Sequence, residues 1–236
     1  GSVITYSNRA FYGGRLIGYP GAVDEGEGVG LRLVHVPDAV YRRGEGRDNP
    51  IEARAVVDRI FFHATHHPDR SLGVVAFSDA QAMRIGYELE AARRDRPDLD
   101  AYFAEDRLGG FFVKNLESVQ GDERDIILFS IGYGRDETGK LTMNFGPLNK
   151  EGGHRRLNVA VTRARQRVEV VTSITAGDFA ETANPGVNHL RRYLDFAQRG
   201  VVALTAADPD STAETESPFE EEVLDVVRGL GYVAVP

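Results

Sequence analysis

The stretch "GGHRRLNVAVTRARQRVEVV", residues Gly152 to Val171, places five arginines within thirteen residues and then runs into an apolar segment. Its apolar spacing predicts a helix that reaches Val168 and is buried along one face, formed by Leu157, Ala160, Val161, Ala164 and Val168. A second stripe on the same helix would consist of Arg156, Arg163 and Arg167. The continuation "VEVVTSI" is predicted to be a strand.

The arginine stripe has two interpretations at this point. It could be a solvated basic face, or it could present a guanidinium to a cleft, where it would stabilise charge on a transferred phosphoryl group. Long exposed helices usually mix charges, whereas no acidic residue stands between His154 and Val168.

The rest of the chain predicts an α/β fold. Apolar strands are expected in "SLGVVAFS", "GGFFVKNLESV" and "DIILFSIGYG", and amphipathic helices in "DNPIEARAVVDRIFFHATHHPD", "DAQAMRIGYELEAARRDRPD" and "PGVNHLRRYLDFAQRG". Asn49 is expected to cap the first of these helices, with Pro50 at its first position and Glu52 completing a capping box. Such alternation predicts a mainly parallel sheet flanked by helices, which binds ligands at the carboxyl ends of its strands.

Composition narrows the class of protein. The 236 residues carry a formal charge of -8 and are 42% hydrophobic, which is enough for a core. The chain has no cysteine, which excludes disulfides and thiolate metal sites and fits a cytoplasmic location. No apolar run approaches the roughly 18 residues of a membrane span. Residues 1–2, Gly-Ser, resemble an expression scar.

Three local patterns are ambiguous or misleading. The turn Gln120-Gly121-Asp122-Glu123 could grip a sugar hydroxyl or could be an ordinary acidic turn. "GRDETGK", residues 134–140, has P-loop spacing, but Leu141 replaces the required Ser or Thr and no helix pattern follows, so we predict a hairpin or surface loop. The histidines at 63, 66 and 67 have helical spacing, but no carboxylate is expected to join them, which favours a helix end over a metal site.

Taken in order, "VQGDERDIILFS" and "RRLNVAVTRAR" resemble motifs V and VI of superfamily 1 helicases, in the Upf-like and DNA-replication-helicase-like branch. "SNRAFYGGRL" and "SLGVVAFSDAQAMRI" resemble earlier segments of the second RecA-like domain of that family, and "NFGPLNKEGGHRRLNVAVTRAR" is typical of bacterial members. The resemblance covers about Val3 to Ile174. It implies a RecA-like three-layer fold of the P-loop NTPase superfamily that lacks its own P-loop.

The resemblance also implies roles for individual residues. Arg163 would be the arginine finger, which acts in catalysis and contacts the γ-phosphate of ATP. The nucleotide-binding residues would be Gln120, Gly121, Glu123 and Arg163. The nucleic-acid-binding residues would be Asn115, Ser118, Asn158 and Thr162.

The implied protein is an ATP-dependent helicase or translocase of which this chain is the C-terminal motor domain. ATP and Mg²⁺ would be held mostly by a first RecA-like domain of the same chain, and the track would be single-stranded nucleic acid, DNA in preference to RNA. No membrane partner and no metal ligand in this chain are expected. The fragment alone is predicted to be inactive, and Arg163 is expected to reach the cleft at the strand tips.

The expected domain division places a RecA-like motor domain at 3–204, a linker at 205–217 and the truncated start of a nuclease-like domain at 218–236, whose "SPFEEEVLDVVRGLGYVAVP" resembles the first helix of a restriction-endonuclease-like domain. Two alternatives remain. The domain could be a non-catalytic nucleic-acid-binding or docking scaffold derived from a helicase, or a P-loop kinase that uses Lys140.

Overall fold

The computed structural model describes residues 30–104, 107 and 109–199 of the chain. Within these residues, five strands form one sheet: β1 (Gly30–His35), β2 (Leu72–Ala76), β3 (Phe112–Asn115), β4 (Arg124–Ser130) and β5 (Ala164–Thr172). Their order across the sheet is β1-β5-β4-β2-β3, and every pairing is parallel. All five strands therefore begin at one end of the sheet, called here the amino end, and finish at the other, the carboxyl end.

In the described part of the chain, four α-helices cover the sheet: α1 (Pro50–His66), α2 (Asp79–Arg93), α3 (Gly153–Val161) and α4 (Pro185–Arg199). Short 3₁₀ helices occupy Pro97–Phe103, Gly146–Leu148 and Ala176–Asp178. Helices α1 and α2 pack together on one face, and α3 and α4 pack together on the other. The three-layer RecA-like α/β fold predicted from the sequence is confirmed in this part of the chain.

Strand periodicity explains the two cores. On β2 and β4, alternate residues such as Val74 and Leu128 join the apolar cluster under α1 and α2. The intervening side chains point the other way, where the ring of Phe129 meets the ring of Tyr193 on α4 at a centroid distance of 6.4 Å. Because both faces are covered, β2 is buried along its whole length and shows no polar alternation.

Two sequence predictions about helix α3 are wrong. The helix ends at Val161, and Ala164, Arg167 and Val168 belong to β5 instead of extending the buried and basic stripes. The residues from Val168 onward are mostly β-branched and apolar, and they satisfy their backbone groups by pairing with β1 and β4. Residues four apart, such as Ala164 and Val168, lie on the same face of a strand as well as of a helix, so their spacing fits both structures.

Only part of the predicted cap of α1 is present. The Asn49 side chain accepts a hydrogen bond from the Glu52 amide at 3.2 Å, and Pro50 takes the first helical position. Glu52 does not return a capping-box bond, because the Asn49 amide donates to Gln81 Oε1 at 2.7 Å. Its carboxylate is buried and turned toward the end of β4.

Strand β1 was not predicted from the sequence. The segment "LTMNFGPLN", which could have been a short strand or a loop, is a loop that contains the 3₁₀ turn Gly146–Leu148. The residues 134–140 form a turn closed by the Asp136 amide on the Lys140 carbonyl at 3.0 Å, so the hairpin or surface loop predicted there is confirmed. The expected scar at 1–2, the opening segment "SNRAFYGGRL", the linker at 205–217 and the nuclease-like start at 218–236 lie outside the described residues.

Candidate functional site

The amino ends of β4 and β5 bring Glu123 and Arg163 together. Glu123 directly precedes β4, and Arg163 directly precedes β5, and these strands are neighbours in the sheet. The Arg163 Nη1 atom lies 3.8 Å from Glu123 Oε1. One expected nucleotide-binding residue from each of the two motif-like segments therefore lies at this point.

Arg163 lies at the end of the sheet opposite to the one expected. The sequence prediction placed its guanidinium on a helix face at the carboxyl strand tips, and that placement is wrong. Helix α3 runs from the carboxyl end to the amino end of the sheet, and Arg163 follows its last turn. The side chain keeps about a fifth of its surface exposed, so it remains accessible from that end.

The end of α3 fixes the Arg163 side chain. Its Nε donates to the Val159 carbonyl at 2.9 Å, and its Nη2 donates to Thr162 Oγ1 at 3.1 Å. Thr162 Oγ1 in turn donates to the same Val159 carbonyl at 2.9 Å. The free carbonyls at a helix C-terminus attract cations, so this arginine is held where the chain leaves the helix.

The acidic turn predicted at 120–123 is present and exposed. The Asp122 amide donates to the Val119 carbonyl at 3.2 Å, and Gly121 has a positive φ of 88°, which glycine adopts without strain. Asp122 pairs with Lys114 Nζ at 2.6 Å. Gln120, Gly121 and Glu123 are thus brought to the same end of the sheet as Arg163.

The proposed nucleic-acid residues do not form one surface. Asn115 and Ser118 lie at the carboxyl end of β3, where the Asn115 side chain accepts from the Ser118 amide at 2.8 Å and donates to Asp79. Thr162 lies at the amino end and is bonded to Arg163. Asn158 on α3 faces the interior and is only 8% exposed. Its predicted contact with nucleic acid does not fit this arrangement.

A cleft of about 370 Å³ opens at the carboxyl end beside Asn115. Aromatic rings and charged side chains of both signs line it, among them Tyr41, Tyr133, the cations Arg47 and Lys150, and the carboxylates Asp79 and Glu117. The rings of Tyr41 and Tyr133 lie 5.4 Å apart. Burial raises the pKa of Tyr133 to about 12, so its hydroxyl stays protonated at neutral pH. Sequence reasoning missed this cleft because its residues come from separate loops.

A buried polar network supports the cleft from below. Gln81 Nε2 donates to Ser130 Oγ at 3.0 Å, and Ser130 Oγ donates to Glu52 Oε1 at 2.7 Å. The Gly132 amide donates to the same oxygen at 2.6 Å, next to Tyr133. Burial raises the pKa of Glu52 to about 7, against the lowering effect of these hydrogen bonds.

A second buried cluster joins α1 to β5 around Glu169. Its carboxylate accepts from Arg59 Nε at 2.6 Å and from Arg167 Nε at 2.7 Å, and His63 Nε2 lies 3.1 Å away. Burial would raise the pKa of Glu169, but the bonds and charges of His63 and Arg59 hold it well below its usual value. Arg167 is thus a structural partner, and the expectation that no carboxylate joins the histidine group is wrong.

Within the described ranges, no three His, Asp or Glu side chains gather in a way that could hold a metal ion. Over the same ranges, none of the helices combines the length and the apolar character that crossing a bilayer requires.

Two curated relatives match over most of the chain. An uncharacterized ATP-dependent helicase of Mycoplasma pneumoniae, the MG140 homolog, is 38% identical over 184 residues, which is 75% of this chain and 15% of that protein. The corresponding MG140 protein of Mycoplasma genitalium is 36% identical over 203 residues, which is 83% of this chain and 17% of that protein. The chain therefore spans less than a fifth of the length of these relatives.

A solved structure, the C-terminal domain of a possible DNA helicase from Lactobacillus plantarum WCFS1, covers 82% of this chain and 92% of its own. The sequence identity is 12% and the TM-score is 0.43. The model of the AAA domain family matches residues 2–175, well over half of the sequence. The chain belongs to the AAA domain family.

Proposed function

We propose that this chain is the second RecA-like motor domain of an ATP-dependent superfamily 1 helicase or translocase of the Upf-like branch. The observation that carries the proposal is the meeting of Arg163 and Glu123 at the amino ends of two adjacent central strands. The curated relatives, both named ATP-dependent helicases, support the same class of activity.

In this proposal Arg163 acts on ATP that a first RecA-like domain presents to the amino end of the sheet. A guanidinium fits this task because its planar fork matches phosphate oxygens and it stays charged at all working pH values. Two of its nitrogens already donate to the end of α3, so the side chain needs little reordering before it contacts phosphate. Charge that develops on the transferred phosphoryl group would be stabilised there.

Gln120, Gly121 and Glu123 would bind the nucleotide from the neighbouring turn. A Cβ atom placed on Gly121 would have no other atom within 4 Å, so the space beside this exposed backbone is open to a ligand. Magnesium would be held by the first domain; within the described ranges no three His, Asp or Glu side chains are grouped to hold a metal ion.

The carboxyl-end cleft would bind the single strand, with DNA preferred to RNA. Aromatic rings stack on bases without regard to sequence, and cations attract the phosphate backbone. Asn115 lines this cleft, and Ser118 Oγ donates to Asn115 Oδ1 at 2.8 Å, so both polar side chains of the proposed strand contact are held together. Thr162 would act indirectly, through its bond to Arg163.

The connection from Asn115 to Glu123 joins the two proposed sites. It leaves β3 at the carboxyl end and enters β4 at the amino end, so eight residues after Asn115 reach the nucleotide turn. Lys114 pairs with Asp122 at 2.6 Å and Arg156 Nε lies 3.6 Å from Glu117, which ties the connection to β3 and α3. A movement at the bound nucleotide would thus be transmitted to the single-stranded nucleic acid.

The test is Arg163→Ala in the full-length protein. ATP turnover stimulated by single-stranded DNA should fall roughly 10³-fold or more, as for arginine fingers generally, with ATP affinity mostly retained. The control is Arg135→Ala, which removes an ion pair with Asp178 of 2.8 Å at the other end of the sheet and should leave turnover unchanged. Wild-type turnover in Arg163→Ala would refute the assignment, and a wild-type protein without ATPase activity would favour the non-catalytic scaffold.

A further inference from the structure

The carboxylate of Glu123 lies between two guanidinium groups. Its Oε1 is 3.8 Å from Arg163 Nη1, and its Oε2 is 3.6 Å from Arg165 Nε. Both distances are longer than a hydrogen bond, so the carboxylate is attracted by both arginines and held tightly by neither. Glu123 and Arg165 are 48% and 60% exposed, which leaves both side chains free to turn.

Hydrogen bonds and an ion pair hold the groups around Glu123 in place, whereas the Glu123 side chain makes no short hydrogen bond to either arginine. Arg163 is bonded to Val159 and Thr162, so it stays in place when its anion changes. Asp122 is fastened to Lys114 at 2.6 Å, so the backbone of the turn is anchored beside Glu123. The other nearby carboxylate, Asp125, accepts from the Ser71 hydroxyl at 2.7 Å and from the Ser71 amide at 2.9 Å.

We propose that Glu123 is a built-in competitor for nucleotide phosphate: its carboxylate neutralises Arg163 and Arg165 until a phosphate group displaces it, and Arg165 then serves as a second phosphate contact. This inference rests on the function proposed above. A phosphate oxygen pair binds a guanidinium with two parallel hydrogen bonds, which the carboxylate does not make here. The arriving negative charge would also repel Glu123 from the site.

Two consequences follow from this arrangement. In the absence of nucleotide, the Glu123 carboxylate partly neutralises the two arginines, so other anions bind there only weakly. When the triphosphate arrives, the released Glu123 side chain becomes available to the ribose, which is the role that the helicase resemblance implies for it.

The test is binding of inorganic tripolyphosphate to the 236-residue chain, measured by isothermal titration calorimetry at low ionic strength. Glu123→Gln should bind about two- to fivefold more tightly, the range expected when an exposed ion pair no longer has to be broken. Arg165→Ala should bind about two- to fivefold more weakly, and in that background Glu123→Gln should have a smaller effect. The control is Glu90→Gln, which removes the same charge from an exposed pair with Arg93 on α2 and should leave the affinity unchanged.

Unchanged or weaker binding by Glu123→Gln would overturn the inference, as would an equal gain from Glu90→Gln. Arg163→Ala separates this failure from a failure of the proposed function. If Arg163→Ala weakens tripolyphosphate binding and Glu123→Gln does not strengthen it, the phosphate site stands and the competitor is wrong. If Arg163→Ala leaves binding unchanged, the phosphate site itself is wrong. Since all these side chains are partly exposed, thermal melts should show the wild-type fold in each variant.

Discussion

Replacing Glu52 by glutamine should make the stability of the chain less sensitive to pH. Glu52 is fully buried, and burial raises its pKa to about 7. Among the described residues no cationic side chain pairs with it, so the charged form is stabilised only by hydrogen bonds from Ser130 and the backbone. Glutamine keeps an oxygen for those donors and cannot ionise.

The sign and size follow from linkage. The pKa of Glu52 is raised from 4.5 in the unfolded chain, so between these values the native state keeps a proton that the unfolded state has lost. The free energy of unfolding of the wild-type chain therefore falls as the pH rises through this window. From pH 5 to pH 8 the loss is roughly 2–3 kcal/mol for this one group.

The measurement is the difference in unfolding free energy between the wild-type chain and Glu52→Gln at pH 5 and at pH 8. Groups shared by both proteins cancel in that difference, including the histidines. The variant should gain roughly 2–3 kcal/mol on the wild type over this range, which corresponds to roughly 5–10 °C in Tm for a chain of this size. A difference that stays constant between the two pH values would show that Glu52 is ionised normally, and the burial argument would fail.

Three further predictions concern other parts of the domain. Gly153→Ala should destabilise the fold by roughly 1–3 kcal/mol in urea titrations, because its Cβ would lie 2.0 Å from the Leu148 carbonyl oxygen; a neutral effect would contradict this packing. Glu169→Ala should cost roughly 3–5 kcal/mol, since it leaves buried cations such as Arg167 uncompensated, and a cost near zero would count against a charged cluster. Lys150→Ala should weaken single-stranded DNA binding by the full-length protein in fluorescence anisotropy and reduce its salt dependence by about one counterion; an unchanged salt slope would exclude a phosphate contact.

The sequence predicted the layers and most elements because hydrophobic periodicity encodes them directly. Strand β2 is a short apolar run with polar neighbours, and α1 carries its cap in Asn49 and Pro50. The boundary between α3 and β5 was wrong because apolar residues spaced by four satisfy both a helix face and alternate positions of a strand. Pairing with β1 and β4, which no local pattern reveals, decides between the two.

The site was predicted less well than the fold. The family motifs identified Arg163 and Glu123, and the structure brings them together. Their position at the amino end could not be derived once α3 had been extended through Arg167. The contact of Arg165 with Glu123 and the cleft around Tyr133 depend on loop paths and on strand order, which the sequence does not state.

The network of Asn49, Glu52, Gln81 and Ser130 has a consequence for how related sequences vary. Its members come from α1 and its cap, from α2 and from β4, and each uses a donor or acceptor that another supplies. Replacing a single member by an apolar residue leaves a desolvated polar atom without its partner, which is costly in a buried interior. We expect homologues to keep the quartet intact or to replace it as a set, with hydrocarbon side chains filling the same volume.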